Sequence, residues 1–483
     1  MTFLPVPFPL PISPLPVEKW DASGSYGLVP FVAPQIMPHY LKSVGSYDTY
    51  MVGKWHLGHF QQQYLPYNRG FDHFFGYLTD QLWYYNHKSP HACAERSGGY
   101  TCVYDMTHNG RPSEKAIDVY STFLFRDIVG DILEAGQNSS NPTFMYIGWQ
   151  AVHAPLDDVP RGFFSKDELD LLEEIKDPYR KTFAGMTITL DSSIKDIMGM
   201  IRKYGYYDKS LIIYASDNGG CSMSGGYNYP LRSGKQFLFE GGIRVNSFIY
   251  SPMLPNWRRG IEYDNMFHVT DWLPTIVEGF LGEDEKTLPQ HIDGVNHYGQ
   301  LMGRRSGAPR DTIVHNIDLW NDDGYVLERR DTPQAALRKG DLKLVVGFEP
   351  SSWYIPQTVA CEDEVTKYCS PGYEELDDCV TDGYNRTYLF NITSDPYETT
   401  DLARSHPNDV QEVRDPFDPV HVASGPNSLL MFCLVYFCSC KRIWNTTSRA
   451  WFGLSGWGMT TTTHTPLGWK TTHISDRSSI VAH

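Results

Sequence analysis

The chain has 483 residues, of which 41 % are hydrophobic and 14 % aromatic, and its formal net charge is −16. This length and apolar content suffice for one large α/β domain with a smaller companion. The acidic balance argues against nucleic acid or an anionic membrane as a general partner, although a local basic pocket can still receive an anionic substrate.

The first 33 residues form a proline-rich arm, with six prolines and no basic residue in the first 17 positions. Such a run cannot form the apolar helix of a signal peptide, so no signal peptide is predicted from it. Other features favour the secretory pathway, because Cys93 and Cys102 lie nine positions apart and several glycosylation sequons occur. The sequons begin at Asn138, Asn385, Asn391 and Asn445. From this disagreement we expect that an N-terminal segment is missing.

The region after the arm predicts a short helix over residues 38–44 and then a strand at 50–52 that ends in a glycine. Lys54 and His56 follow at the mouth of that strand, where ligands bind in open α/β sheets. A fixed cation beside a titratable donor suits an oxyanion such as sulfate or phosphate. On spacing alone, a surface lysine and a structural histidine explain the stretch slightly better.

Two further strand ends carry polar side chains. Residues 144–147 have the pattern of a buried strand, and His153 follows shortly after it. A helical pattern precedes a strand at 211–215, which leads directly into Asp217 and Asn218. Oxygen donors at the carboxyl end of such a strand are how a doubly wound sheet presents metal ligands, and these suit Ca²⁺ or Mg²⁺. A structural histidine and a plain Asp-Asn-Gly turn are the alternatives.

These blocks, taken in order, resemble the sulfatase family. Residues 49–58, Thr-Tyr-Met-Val-Gly-Lys-Trp-His-Leu-Gly, resemble its second signature, although Ser46 stands where the family usually has a glycine. The other matching blocks are Arg-Gly-Phe-Asp at 69–72, Ala-Val-His-Ala-Pro at 151–155, Ser-Asp-Asn-Gly-Gly at 216–220, Lys235 with Phe-Glu-Gly-Gly-Ile-Arg at 239–244, and His-Asn-Ile-Asp at 315–318. Their details resemble most the arylsulfatase B group, which removes 4-sulfate from N-acetylgalactosamine in dermatan and chondroitin sulfate.

The resemblance implies an alkaline-phosphatase/sulfatase-like α/β fold, with a mixed sheet flanked by helices and a smaller C-terminal antiparallel-sheet subdomain. The predicted units are the arm at 1–33, a partial catalytic domain at 34–325, the C-terminal subdomain at 326–410 and an unassigned tail at 411–483. A hairpin pattern over 335–346 supports the third unit. The apolar run at 429–437 is too short to span a bilayer, so no transmembrane span is predicted.

The resemblance also implies a chemistry. In the family a formylglycine, made from the cysteine of Cys-x-[Pro/Ala]-x-Arg, attacks sulfur, while a divalent cation, usually Ca²⁺, and lysines neutralise the sulfate oxygens. Carried over by position, Asp217 and Asn218 hold the metal. Lys54 and Lys235 bind the sulfate.

Three histidines complete the implied site. His56 would hydrogen-bond the formylglycine hydroxyl, His153 would protonate the departing alcohol and contact substrate, and His315 is a candidate substrate contact. No cysteine of the sequence stands in Cys-x-[Pro/Ala]-x-Arg, and no Asp-Asp pair follows an N-terminal strand. We therefore expect half a metal site, no nucleophile and no activity for the chain as written.

The sequence thus predicts a sulfuric ester hydrolase of the arylsulfatase B type, acting on sulfated glycosaminoglycans in a lysosomal or extracellular setting but inactive in this form. The alternative is a non-catalytic sulfatase-like glycoprotein that binds sulfated glycans through Lys54, Lys235 and the histidines. A related phosphodiesterase or phosphatase is a third reading, from which the Lys-Trp-His-Leu-Gly block points away. The native substrate, the disulfide pairing and the oligomeric state stay open.

Overall fold

The structure is a computed structural model that describes residues 35–318 (apart from 60, 97, 98, 222, 223, 236 and 291), 334–347, 387–414 and 479–482. The α-helices of these residues are α1 (Met37–Gly45), α2 (Ser121–Gly136), α3 (Lys166–Glu174), α4 (Pro178–Lys203), α5 (Glu240–Ile243), α6 (Trp272–Pro274), α7 (Tyr298–Leu301) and α8 (Pro407–Arg414).

The strands are β1 (Asp48–Lys54), β2 (His73–Tyr77), β3 (Lys88–Arg96), β4 (Gly99–Tyr104), β5 (Thr107–His108), β6 (Arg111–Pro112), β7 (Thr143–Gly148), β8 (Ile212–Ala215), β9 (Ser247–Tyr250), β10 (Ile261–Tyr263), β11 (Thr312–Asp318), β12 (Gln334–Lys339), β13 (Leu342–Val346), β14 (Thr387–Asn391) and β15 (Ser479–Ala482). The helix expected at 38–44 and the strands expected at 50–52, 144–147 and 211–215 are therefore confirmed, with ends that differ by a few residues.

The strands form a mixed α/β architecture. One sheet has the order β6-β5-β2-β1-β7, in which β1 runs parallel to both β2 and β7. A second has the order β10-β15-β9-β8, and β3 pairs with β4 in a separate ribbon. The third sheet, β11-β12-β13-β14, is antiparallel throughout. This arrangement confirms the predicted fold class, including the C-terminal antiparallel sheet.

Helices cover both faces of the first sheet. Side chains alternate along β1, so Val52 and Met51 point to opposite faces. Val52 is buried with Phe125 of α2 in a cluster that also includes α4. Met51 is buried with Phe74 on the other face, where Leu41 of α1 joins a neighbouring cluster. Both faces of the sheet are therefore covered, and the carboxyl ends of its parallel strands are where the candidate site lies.

Local sequence signals fix the start of α4. The Asp177 carboxylate accepts a hydrogen bond from the backbone N–H of Arg180 at 2.6 Å, and Pro178 takes the first helical position, where its missing N–H costs nothing. Phe183 and Met186 then lie on the buried face. This start places Arg180 firmly against the loop after β8, which it contacts at the Gly225 carbonyl.

The C-terminal sheet begins before the predicted boundary at 326. Thr312 of β11 pairs with Lys339 of β12, so β11, which lies within the predicted range 34–325, joins this sheet. The hairpin expected over 335–346 is confirmed by the pairing of β12 with β13. At the other end α8 passes the predicted limit at 410, because Val413 is buried in the subdomain core.

Part of the tail predicted as unassigned joins the second sheet. β15 pairs in parallel with β10 and antiparallel with β9. A four-residue strand carries too little pattern to be recognised, because its partner is set by long-range pairing. The arm at 1–33, Asn385, Asn445 and the run at 429–437 lie outside the described residues. Where the structure describes the chain, it contains no helix with both the length and the apolar character needed to cross a bilayer.

Candidate active site

Three parallel strands end at a row of glycines. Gly53 of β1 stands opposite both Gly76 of β2 and Gly148 of β7. The backbones are so close that a β-carbon on Gly53 would overlap the carbonyl oxygen of Gly148. Gly53 also has a φ of +100°, which L side chains rarely adopt. The row brings the strand ends close together, and Lys54 follows Gly53 as the last residue of β1.

Lys54, His153 and Lys235 converge beyond this row. Lys54 is buried at 5 % exposure, and Nζ of Lys235 lies 3.2 Å from Nε2 of His153. Nδ1 of His153 lies 2.5 Å from the carbonyl oxygen of Ala154. Because a carbonyl only accepts, we assign the ring proton to Nδ1, which leaves Nε2 to accept a hydrogen bond from the Lys235 ammonium group.

The electrostatics of this cluster favour an anion. Burial, together with Lys54 and Lys235, holds the pKa of His153 well below its usual value of 6.5. Burial also lowers the pKa of His56 to about 3, with a further contribution from Lys54. Both imidazoles are thus neutral near pH 7, and the positive charge of the pocket belongs to the two lysines. Such a pocket suits a sulfate or phosphate group.

Asp217 and Asn218 lie at the carboxyl end of β8, next to the same lysines. Desolvation of its carboxyl group raises the pKa of Asp217 to about 6, opposed by Lys235 and Lys54, although Asp217 as a whole residue is exposed. The turn is well fixed, since Asn218 donates from its backbone N–H to the Asp217 carboxylate at 2.8 Å. Gly219 donates from its N–H to the carbonyl of Gly242 at 2.7 Å, which ties the turn to α5.

The predicted calcium ligands do not complete a calcium site among the described residues. Ca²⁺ takes roughly six to eight oxygen ligands. Asp217 and Asn218 offer two side chains of the right chemistry, and the described part of the chain holds no group of three or more His, Cys, Asp or Glu residues able to bind a metal. These residues alone therefore do not fit the ion.

The structure does not bring His315 into this cluster. It lies on β11 in the C-terminal sheet, where the charged groups acting on it are Lys343, Glu240, His268 and Arg338. Burial lowers its pKa to about 3, with Lys343 as the next cause. The expectation of a substrate contact at His315 came from a motif, which did not reveal that its strand pairs with β12.

Sequence reasoning missed two residues of the site. The negative charge of Asp80 raises the pKa values of both His56 and His153, whereas the charges of the lysines lower them. The fully buried Tyr84 donates its hydroxyl proton to the carbonyl oxygens of Gln150 and His153, both at 3.0 Å. Asp80 was recognisable in principle, because it follows β2, a third parallel strand ending beside Lys54.

Comparisons with known proteins identify relatives of this chain. The chain matches the sulfatase family over residues 30–281. Arylsulfatase J of Mus musculus is 34 % identical over 399 residues, which cover 78 % of this chain and 60 % of that protein. N-acetylgalactosamine-6-sulfatase of Homo sapiens is 29 % identical over 285 residues, which cover 57 % of this chain and 50 % of that protein.

A solved structure shows the same fold. Ps i-CgsB in complex with k-i-k-neocarrahexaose superposes with a TM-score of 0.61 at 22 % identity, covering 83 % of this chain and 78 % of that one. The present chain spans 60 % of the length of arylsulfatase J and half that of the human N-acetylgalactosamine-6-sulfatase.

Proposed function

The chain belongs to the sulfatase family, and from that premise we propose that its site binds and, with a nucleophile, hydrolyses the sulfate ester of a sulfated glycan. The observation that carries the proposal is the convergence of Lys54, Lys235 and neutral His153 at the ends of β1 and β7. We propose a substrate of the dermatan or chondroitin type. The resemblance to the arylsulfatase B group and the similarity to N-acetylgalactosamine-6-sulfatase support it.

Each residue has a role that follows from its charge. Lys54 and Lys235 hold the sulfate oxygens, since the charges of both ammonium groups act on the same His153 ring. Their charges keep His153 neutral while the pocket is empty. A bound sulfate ester offsets those charges and raises the pKa of His153, so Nε2 can take up a proton and deliver it to the departing sugar oxygen.

The chain as written lacks the nucleophile that the family makes from cysteine, because none of its cysteines stands in Cys-x-[Pro/Ala]-x-Arg. We therefore propose that this form binds sulfated glycans without turning them over. The second candidate function, a non-catalytic glycan-binding glycoprotein, is favoured by this same observation. The family's divalent cation would supply charge neutralisation at sulfur, but the described donors do not hold it by themselves.

We also propose that the protein folds in the secretory pathway. Cys102 is disulfide-bonded, and Cys93 stands opposite it in the β3–β4 ladder. Disulfides form in oxidising compartments. The sequon residue Asn138 is exposed just after α2, where a glycan would meet solvent.

The test of the proposed function is binding of inorganic sulfate and of a chondroitin 4-sulfate tetrasaccharide, measured by isothermal titration calorimetry. We expect Lys235→Ala to weaken both by about tenfold or more, because the sulfate loses a charged donor. Lys339→Ala is the matched control, since Lys339 lies on the C-terminal sheet in an exposed ion pair. Equal affinities in Lys235→Ala and the parent chain would remove Lys235 from the site.

A turnover assay tests whether the chain as written lacks activity. Incubation of the chain with 4-nitrophenyl sulfate should release no 4-nitrophenol above background if the missing nucleophile is decisive. Sustained release that Lys235→Ala abolishes would show that this form is itself a working hydrolase. Binding without release would support the non-catalytic role for the chain as written.

A further inference from the structure

The loop that follows the Asp217–Asn218 turn carries an aromatic stack, and the proposed sulfate chemistry does not use this stack. The guanidinium carbon of Arg180 lies 5.0 Å from the ring centroid of Tyr227, and the rings of Tyr227 and Tyr229 stack with centroids 6.2 Å apart and 25° between their planes. We propose that Tyr229 is a sugar-stacking platform that receives the apolar face of a pyranose ring of the glycan. This inference rests on the proposed function and adds a residue that recognises the sugar rather than the sulfate.

Burial decreases from the inner ring of the stack to the outer ring. Tyr227 is 9 % exposed, whereas Tyr229 is 41 % exposed and is the outermost member. The innermost member is anchored, because Arg180 donates a hydrogen bond from Nη1 to the Gly225 carbonyl at 2.5 Å. Tyr229 therefore stacks on an anchored ring and keeps 41 % of its surface exposed to solvent. A preorganised ring loses little conformational entropy when a ligand binds.

Hydrogen bonds tie the stack to the site. Asn228, between the two tyrosines and 3 % exposed, accepts at Oδ1 from the Gly220 N–H at 2.7 Å and donates from Nδ2 to the Gly220 carbonyl at 2.9 Å. The same carbonyl accepts the backbone N–H of Lys235 at 3.1 Å. Gly220 lies two residues after Asn218. The platform, Lys235 and the Asp217–Asn218 turn thus share one hydrogen-bonded unit.

The chemistry of a sugar matches this surface. One face of a pyranose ring consists of C–H groups with partial positive charge, and an aromatic face carries the negative part of the ring quadrupole. The lysines recognise any sulfate, but a stacking ring recognises the sugar that carries it. We expect this contact to contribute about tenfold to the affinity for an oligosaccharide, in line with aromatic pairs in proteins.

The test compares three probes on Tyr229→Ala by isothermal titration calorimetry: inorganic sulfate, a chondroitin 4-sulfate tetrasaccharide and the desulfated tetrasaccharide. We expect both oligosaccharides to bind about tenfold more weakly, while the affinity for inorganic sulfate is unchanged. Tyr229→Trp should restore the lost affinity. Tyr397→Ala is the matched control, because this tyrosine is similarly exposed at 43 % but lies in the C-terminal subdomain.

The outcomes are distinguishable from a failure of the proposed function. Unchanged oligosaccharide affinity in Tyr229→Ala, with sulfate binding intact and sensitive to Lys235→Ala, would overturn the platform and leave the sulfate site standing. A loss of inorganic sulfate binding in Tyr229→Ala would show that the ring only supports the fold of the loop, which also overturns the platform. A parent chain that binds the tetrasaccharides but not inorganic sulfate would count against the sulfate site instead.

Discussion

Single residues decide whether the cationic pocket can form, and Gly53 is the clearest case. Its φ of +100° is strained for any other residue, and a β-carbon there would overlap the backbone of β7. We expect Gly53→Ala to lower the free energy of unfolding by about 3 kcal/mol or more, because overlap adds to backbone strain. Urea denaturation at neutral pH measures this loss.

Gly205→Ala is the matched control for that substitution. Gly205 also has a left-handed φ, of +82°, but nothing lies within 4 Å of the position of its β-carbon. Strain alone should then cost about 1–2 kcal/mol. Equal losses in the two variants would refute the idea that close approach of β1 and β7 makes Gly53 necessary.

The sequence identifies the site residues to different degrees. Lys54 is predictable from its position after a strand, and the structure confirms that position. The contact between His153 and Lys235 spans 82 positions, so only the family resemblance brought the two together. His315 shows the converse, because its motif resembles a functional block but its strand pairs with β12 in the C-terminal sheet, so its role as a substrate contact stays a prediction.

At the scale of elements, one buried ion cluster joins the C-terminal sheet to the site. Nζ of Lys343 on β13 lies 2.9 Å from a Glu240 carboxylate oxygen and 2.8 Å from one of Glu398. Burial raises the pKa of Glu240, but the charge and hydrogen bond of Lys343 outweigh this effect and lower the pKa to about 2. Glu240 begins α5, whose Gly242 accepts the hydrogen bond from Gly219. The cluster thus anchors the helix that supports the Asp217 turn.

Removing the lysine should expose how much this anchor contributes. We expect Lys343→Met to lower the free energy of unfolding by about 3–5 kcal/mol, because two buried carboxyl groups lose their counterion. The loss should shrink at lower pH, where protonation of Glu240 and Glu398 removes the uncompensated charge. Chemical denaturation at two pH values measures both effects.

Lys339→Met provides the comparison on the neighbouring strand. Lys339 pairs with Glu412 at 3.0 Å, and their side chains are 38 % and 69 % exposed. An exposed pair contributes under about 1 kcal/mol, so this variant should be nearly as stable as the parent chain. If Lys343→Met were equally mild, the buried cluster would not anchor α5.

Elements with strong local patterns were predicted and those set by pairing were not. The β12–β13 hairpin follows from two short apolar runs around a Gly-Asp turn, and α1 and β7 from their apolar periodicity. β11 and β15 were not predicted as strands, because the sheet that a strand joins depends on distant partners.

On the scale of the whole molecule, buried histidines make stability depend on pH. Burial lowers the pKa of a set of histidines that occurs in several parts of the fold: His39, His56, His87, His153, His268 and His315. Burial acts in the opposite sense on seven carboxyl groups: Asp105, Asp157, Asp191, Asp217, Glu278, Asp293 and Glu398. The largest of these effects near neutral pH are on Asp217, whose pKa is raised to about 6, and on Asp191, whose pKa is raised to about 7. The six histidines outnumber Asp191 and Asp217, the two carboxyl groups whose pKa is raised to about 6 or 7, so we expect the histidines to set the sign near pH 6.

We expect the free energy of unfolding to fall as the pH is lowered from 7 to about 5.5. In this window the unfolded chain protonates its histidines near pH 6.5, whereas the folded chain keeps them neutral, so acid favours unfolding. Urea denaturation at several pH values measures the slope. His315→Gln should reduce that slope, because it removes one histidine whose pKa is lowered to about 3. A slope of the opposite sign would mean that Asp191 and Asp217 outweigh the histidines.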